Sequence, residues 1–590
     1  MNEFHDFLYE QYENTRNTIL SKSENKKIIS FDIYDTLVTR SFIKPIDVFS
    51  YIEKTFKKPG FCNARIKAER ESRRKTSSED VTLDQIYKCL PKEYSDLKEK
   101  EIECEISFSF PIKPMANLLH KLKNLGKTVI LVSDMYLSDD TLRKILSKCE
   151  IPFDNLFVSS SFGKTKHTGN LFNHIIMKMK MCPEEMLHVG DNKRADCYMP
   201  KLHGIDSVHT EKPIDIYFKY NTWAPRYLSK RKTPSASMIV ALDMISSVNE
   251  IMNSESEWYN IGFRFGGPLA YAYSVFIESS IRPESTPVFV SRDGYNLIRT
   301  RKILYPECNY GVYIHAQRVL SSSMTDLGIP FGEMHPPSRI SRYYEYRKDI
   351  EKIRHVLRFL SDVFPNIPSD DRNLISFYND NIDRITSERK RRRKEYEQYL
   401  KNAVGNAELD LIDCTTMKYT SQKFVENILG KKVHGIYLVS LAHDNSMDYS
   451  CFHDKKGIMM GWMGINIGEF LLCSPEPPIS GWNGGPCFIE PPQCEADRMK
   501  NYDGVTDGEC DYASMMKDFF ATLPRFDYPD VVEWVMAAIH DAECMAVLKN
   551  IKWASDPDHT AWCDIIPNLK SVPGIVKKEI SDLISKLNEN

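Results

Sequence analysis

At 590 residues the chain exceeds what one hydrophobic core organises, so two or three domains are expected. A formal net charge of -3, with 42% hydrophobic and 27% charged residues, excludes a general attraction to nucleic acid or anionic membrane. No uncharged apolar run of about 18 residues occurs, and MNEFHDFLYEQYENTRN carries acidic groups where a signal peptide needs a basic flank and an apolar core. The expectation is a cytoplasmic protein with no membrane insertion and no nucleic-acid partner.

In chain order, residues 1 to about 25 read as a polar amphipathic helix. From 28 to about 210 short apolar strands alternate with helical stretches. The strand candidates are KIIS (27–30), TVILVS (128–133), LFVSS (156–160) and MLHV (186–189). Between them, MANLLHKLKNLG has helical periodicity and stops at Gly126. Alternation of this kind predicts an α/β fold, a parallel sheet with crossover helices. Residues 42 to about 112 hold no comparable strand and read as a helical insertion placed to cover the sheet's edge.

The polar, basic, proline-bearing PRYLSKRKTPSAS (225–237) reads as a linker. A second α/β region, 238–510, follows. In it TPVFVSRDGYNL and ELDLIDCTTMKYTSQ are strand, polar turn, helix, with GVYIHAQ and VHGIYLVSL as return strands. Residues 345–403 are charged and helical, and the basic run Arg389 to Lys394 reads as a solvated helix face. The Pro- and Gly-rich 473–510 reads as a long loop, and 511–590 as a helical tail. The 15 cysteines are scattered singly without a CxxC pair, and Cys89, Cys104, Cys149 and Cys197 fall in apolar or helical patterns, as reduced thiols do.

Four pieces recur at the ends of the first region's strands: Asp32 in SFDIYDTL, Ser133 in ILVSDMYL, Lys166 in GKTKHTGNLF, and Asp191 with Asp196 in HVGDNKRADCYM. Each suits phosphoryl transfer. A carboxylate nucleophile, Asp32, divides one difficult displacement into two. Ser133 can donate to a phosphoryl oxygen, and Lys166 can offset its charge. Asp191 with Asp32 offers hard oxygen ligands for Mg²⁺, which Asp196 would orient. Taken singly, Ser133 could cap a helix, Lys166 could be a surface lysine with Lys164 as its rival, and Asp196 could be a helix-face charge.

The order and spacing of these four motifs resembles the haloacid dehalogenase superfamily over roughly residues 1–215. The resemblance implies a Rossmann-like domain with a helical cap at about 42–112. It also implies Mg²⁺ held by Asp32, Tyr34, Asp191 and Asp196, and a small phosphorylated substrate contacted by Thr36, Tyr34 and Asn192. One position departs from the family's phosphatases: Tyr34 stands where a second Asp supplies the general acid and base, and a phenol with an unperturbed pKa near ~10 serves poorly at neutral pH. Dehalogenases of the family carry Tyr there but do not need the acidic turn at Asp191 and Asp196. Three readings stay open: a phosphatase using Asp35 or a substrate group as its acid, a phosphotransferase, and a phosphate-binding domain without turnover.

In the second region, Arg292 and Asp293 of VFVSRDGYNL can cradle a phosphate or sugar at a helix start, or Asp293 can cap that helix and pair with Arg292. LIDCTTMKYTSQ is faintly like the phosphate-binding turn of phosphoribosyltransferases. Together, FDIYDTL, SDMYL, KxxGxLF, SRDGY and CSPEPPISGW resemble large two-part bacterial proteins of this superfamily associated with surface-polysaccharide biosynthesis. That wider resemblance implies a phosphorylated or nucleotide-linked sugar as substrate; competing readings are a two-domain transferase whose chemistry lies at Arg292, Asp293 and Asp413, and a binding or scaffold protein with a degenerate first domain.

Overall fold

The computed structural model describes residues 3–251, 256–325, 340–416, 418–440, 444–453, 462–491, 493–554 and 562–565. The chain forms two compact units, Met1–Glu255 and Ser256–Asn590.

In the first unit the strands are β1 (Ile28–Phe31), β2 (Val38–Arg40), β3 (Ser109–Pro111), β4 (Thr128–Ser133), β5 (Asn155–Val158), β6 (Met186–Gly190) and β7 (Asp206–His209). Five of them make one parallel sheet in the order β5-β4-β1-β6-β7. All four residues of β1 are buried, as a central strand with both faces covered requires. One layer over the sheet packs Ile130, Val132 and Phe157 with Leu171, Phe172 and Ile175 of helix Asn170–Met179.

The expected insertion is helical: Ile46–Thr55, Phe61–Lys75, Leu83–Lys88 and Leu97–Ser107. It stands on a two-stranded antiparallel stem, in which Val38 faces Pro111 and Arg40 faces Ser109. Inside it, fully buried Arg65 makes a bidentate pair with fully buried Glu101, whose Oε2 also accepts from Tyr87 at 2.8 Å. Two charges so deeply placed survive only as partners.

The segment 225–237 is not a linker. Thr233 caps a helix, Pro234–Val248, whose Pro occupies the first turn, so PSAS is a helix start. Within the first unit, Ser237 bonds Asp47 and the Ile43 amide, and Asn249 donates to Pro111 O, tying the segment to the stem.

The second unit's strands are β8 (Thr286–Val290), β9 (Val312–Ile314), β10 (Leu409–Thr416), β11 (His434–Ser440), β12 (Tyr449–His453), β13 (Ile479–Trp482) and β14 (Pro486–Phe488). The first five form a second parallel sheet, ordered β12-β11-β10-β8-β9. Strand order reverses between β8 and β10, which opens a crevice beyond their carboxyl ends. The region 473–510, expected as a loop, holds the β13–β14 hairpin and the start of a long helix, Gln493–Phe519. That helix crosses the segment Glu257–Gly266 closely. A Cβ on Gly262 would meet Val505 O at 2.3 Å, and one on Gly508 would meet Tyr259 O at 2.4 Å.

The basic run also differs from expectation. Arg389 and Arg392 lie three apart on helix Ile382–Val404, on the face that carries buried Tyr396 and Leu400, and both are buried. Arg389 donates to Ser323 O at 2.6 Å, and Arg392 to Phe359 O and to Asp362. Of the expected helical tail, the described part is helical to Leu548 and then forms a short antiparallel pair, Lys552–Ala554 with Trp562–Asp564; residues 566–590 lie outside the described residues. No helix among the described residues is long and apolar enough to cross a membrane, and the described cysteines are unbridged.

Replacing Arg65 by methionine strands the Glu101 charge in the insertion's interior. The expected cost is about 3–5 kcal/mol, read as a lower urea midpoint for the first unit's transition.

Candidate active site at the carboxyl edge of the first sheet

Asp32 follows β1 directly, and its amide donates to Val189 O of β6 at 2.9 Å, so the chain is still in register as the carboxylate emerges. Phe31 pairs with Leu131, which sets Asp32 level with Val132 and places Ser133 one residue beyond it on β4. Gly190 ends β6. A Cβ there would lie 2.5 Å from Cγ of Asp196, so only glycine admits the carboxylate that closes the acidic turn.

Lys166 is the centre of the cluster. Its ammonium lies 2.6 Å from Asp32 Oδ1 and 2.6 Å from Asp196 Oδ1, with all three residues buried. Asp134, the residue after Ser133, accepts from the amides of Lys166 and His167 at 2.7 and 3.1 Å, and so fixes the loop that delivers the lysine. Lys164, the rival, is half-buried and sits near His174 instead.

Asp196 is fully engaged: it also accepts from His188 Nε2 at 3.1 Å and from the Asn192 amide at 2.9 Å, and His188 Nδ1 is held by Ser30 at 2.7 Å. Burial alone would raise the Asp196 carboxyl, but Lys166 and His188 outweigh it and hold it well below the usual carboxylate range. Asp32 goes the other way. Its burial, with the nearby Asp196 and Asp191 charges, outweighs a lysine that it must share, and its carboxyl is pushed well up. Burial likewise opposes the charge on Lys166, yet the carboxylates around it raise its pKa and keep it an ammonium.

Oxygen atoms of Asp32, Asp191 and Asp196 lie within 4.8 Å of one another. Three hard donors in that space fit Mg²⁺. Because Asp196 already accepts from Lys166, His188 and a backbone amide, Asp32 and Asp191, each with one ammonium partner, are the pair with oxygens left to hold an ion, with Asp196 orienting the set.

Thr36 is buried beside Asp32, and its hydroxyl has no hydrogen-bond partner among the described residues. A buried hydroxyl left unpaired close in the chain to Asp32 suits a ligand oxygen. Asn192, expected to touch substrate, spends its side-chain oxygen on the amides of Arg194 and Ala195, and is exposed. Its contribution to the site is through its backbone.

The Tyr34 side chain points into the insertion. Its hydroxyl lies 3.3 Å from Ser109 Oγ and 3.5 Å from Glu105, and its ring lies under the Arg40 guanidinium, which binds Glu105 at 2.9 Å. Burial pushes the phenol up, further from any role as a base. Asp35, in left-handed backbone (φ 58°), instead meets Lys212 Nζ at 3.3 Å, and the same ammonium lies 3.3 Å from Asp191. Sequence reasoning missed Lys212, Asp134 and His188. Only Asp134 had a local signal, its place directly after Ser133.

Arg292 and Asp293 belong to the second unit. Arg292 is buried and paired with Glu495 at 3.0 Å, and Asp293 occupies the N-cap position of helix Gly294–Leu304 without a side-chain cap bond.

No protein-family model matches the sequence, and no curated protein does. Similar solved structures include a HAD family enzyme from Bacteroides thetaiotaomicron, at 16% identity over 32% of this chain and 95% of that one, with a TM-score of 0.26. The putative HAD-hydrolase YfnB from Bacillus subtilis, bound to magnesium, is 19% identical over 31% of this chain and 88% of that one, at a TM-score of 0.25. L-2-haloacid dehalogenase from Xanthobacter autotrophicus is 16% identical over 31% and 77%, at 0.24.

Asp196→Asn removes one of the two carboxylate partners of a buried ammonium, with an expected loss of about 3–5 kcal/mol at neutral pH. Since the native carboxyl is depressed, its contribution is complete above the unfolded value near ~4 and lost as pH falls through the native one. Urea unfolding of both proteins is expected to show a gap at pH 6 that narrows at pH 3.

Proposed function

We propose that the chain is a Mg²⁺-dependent phosphohydrolase or phosphotransferase that works through an aspartyl phosphate on Asp32. The observation that supports this most is the convergence on one sheet edge of a nucleophilic carboxylate, a shared buried lysine, a satisfied orienting carboxylate and an unpaired buried hydroxyl. In the first step an Asp32 oxygen bonds to phosphorus and the bond to the leaving oxygen breaks. Lys166 holds the negative charge near Asp32, while Ser133 and Thr36 donate to the equatorial oxygens. A metal held by Asp32 and Asp191 would supply charge neutralisation to the transferring group.

The weak point is proton transfer. Tyr34 is committed to Arg40, Glu105 and Ser109, so Asp35, next in the chain, is the carboxyl assigned to the leaving group or the incoming water. A partly exposed acid tied to Lys212 gives a slow second step, which favours accumulation of the phosphoenzyme and transfer to an acceptor other than water. Domain binding of phosphate without turnover is the rival reading, favoured by the same displacement of Tyr34. The substrate class, a small and sugar-related phosphate ester, and a place in surface-polysaccharide synthesis come from the sequence resemblance.

Incubation with Mg²⁺ and a panel of sugar phosphates is expected to release phosphate or label Asp32, with both signals lost in Asp32→Asn. No Asp32-dependent release or labelling with any ester would sink the catalytic reading. Asp35→Asn is expected to lower turnover by about 10² to 10⁴. Tyr34→Phe, which keeps the ring beneath Arg40, is expected to stay within about threefold of wild type, since no proton moves through it.

A further inference from the structure

The insertion is tied to the sheet at a second place, away from its stem. Residues 76–82, between helices Phe61–Lys75 and Leu83–Lys88, meet two loops that leave the sheet's carboxyl edge. Asp80 and Leu83 hold the loop that follows Ser133. The Asp80 carboxylate accepts from Ser159 Oγ, which accepts from the Met135 amide at 2.8 Å, and the Leu83 amide donates to Tyr136 O at 2.9 Å. Asp80 and Ser159 are buried, and the other Asp80 oxygen accepts from Arg73 at 2.6 Å and from the Val81 amide at 2.8 Å.

Glu79 holds the loop that carries Lys166. Its carboxylate accepts from the Thr165 amide at 2.8 Å, the Thr165 hydroxyl at 3.3 Å, the Thr168 hydroxyl and the Asn170 side-chain amide. Its own amide donates to Gly163 O at 3.2 Å. The two segments lie in close contact there: a Cβ on Gly163, in left-handed backbone at φ 61°, would come 3.0 Å from Ser78 Oγ.

These donors lie on both sides of Lys166 in the chain, and one carboxylate gathers them. Residues 163–169 belong to no helix or strand, so side chains do much to set their path. Two carboxylates share the task. Asp134, from the sheet, takes the amides of Lys166 and His167, and Glu79, from the insertion, takes the flanks. A cover joined only through its stem at Val38 and Pro111 swings without disturbing the lysine. This one is joined to the lysine's loop as well.

We propose that Glu79 is a positioning residue through which the docked insertion holds Lys166 between Asp32 and Asp196, so that lifting residues 76–82 loosens the lysine. Glu79 is exposed, and its bonds compete with water, so it is the part of the tie that can be undone. Asp80 and Ser159 are the buried part. The placement of Lys166 stands on these contacts alone, while its effect on rate rests on phosphoryl transfer at Asp32.

Lysine acylation of the full-length protein by acetic anhydride, read by peptide mass, tests the placement. Lys166 is 3% exposed and is expected to be protected in the wild type. In Glu79→Ala it is expected to react at least tenfold faster. Glu71→Ala, which removes an insertion glutamate paired with Lys75 on its own helix, is expected to leave Lys166 as protected as before. Buried Cys149 reports general opening of the unit, and its alkylation by iodoacetamide is expected to stay at the wild-type rate in both variants. With any ester that the wild type turns over, Glu79→Ala is expected to lower kcat at least tenfold and to leave KM within threefold.

Protection of Lys166 that survives Glu79→Ala overturns the proposal, as does unmasking that Glu71→Ala reproduces or that Cys149 shares. Unmasking of Lys166 with kcat unchanged overturns the positioning role. If the wild type turns over no ester, the phosphoryl-transfer reading fails, and the acylation rates still decide whether Glu79 holds the lysine.

Discussion

A single ammonium organises the carboxyl edge of the first unit's sheet. Lys166 is buried against two carboxylates, and one positive charge cannot neutralise both equally in a dry site. The surrounding residues resolve the contest. His188 and a backbone amide add their donors to Asp196, which becomes the permanent anion. Asp32 is left as the partner whose charge is costly. A carboxyl whose charge is costly is thus obtained by assigning the stabilising contacts elsewhere, and the arrangement holds only while Gly190, Asp134 and Ser30 keep the strand ends and the lysine loop in place.

The covering insertion follows from a different constraint. Its interior holds Arg65 with Glu101 and Arg40 with Glu105, all buried or nearly so, and Tyr34 and Tyr136 reach into the Glu105 end of that network. Both tyrosines come from loops that begin at site residues, Asp32 and Ser133. The phenol two residues after Asp32 therefore serves attachment of the insertion. The second unit repeats the parallel sheet with a different economy: its arginines Arg389 and Arg392 saturate carbonyl groups inside the fold.

How far the sequence foretells this can be seen residue by residue. An apolar run that ends in a polar residue is a strong signal for a parallel strand and its carboxyl edge, which is why Asp32, Ser133, Asp191 and the sheet around them were legible. Lys166 was legible through its neighbours in the chain. Lys212 and His188 were not, because their partners are distant in sequence or hidden by a strand that looks uniformly apolar. The burial of Arg389 and Arg392 was hidden by the company of Lys390, Arg391, Arg393 and Lys394. Only the helical spacing of three and four residues that runs through Arg389, Arg392, Tyr396 and Leu400 marks them as inward, and charge count overrides that spacing in a simple reading. The segment 225–237 misled for a related reason, since Thr and Pro mark a helix start as well as a break.

The stem under the insertion carries an evolutionary implication. Val38 and Pro111 sit opposite one another, so everything from Thr39 to Phe110 enters and leaves the domain at one doorway. No strand of the five-stranded sheet lies within that interval. A lineage can therefore exchange the whole covering for another, or shorten it to a turn, without re-registering the strands that carry Asp32, Ser133 and Asp191. Tyr34, Tyr136, Ser159, Thr168 and Ser237 would be left holding out contacts for a partner no longer there, and those positions are where a history of such exchange would be written.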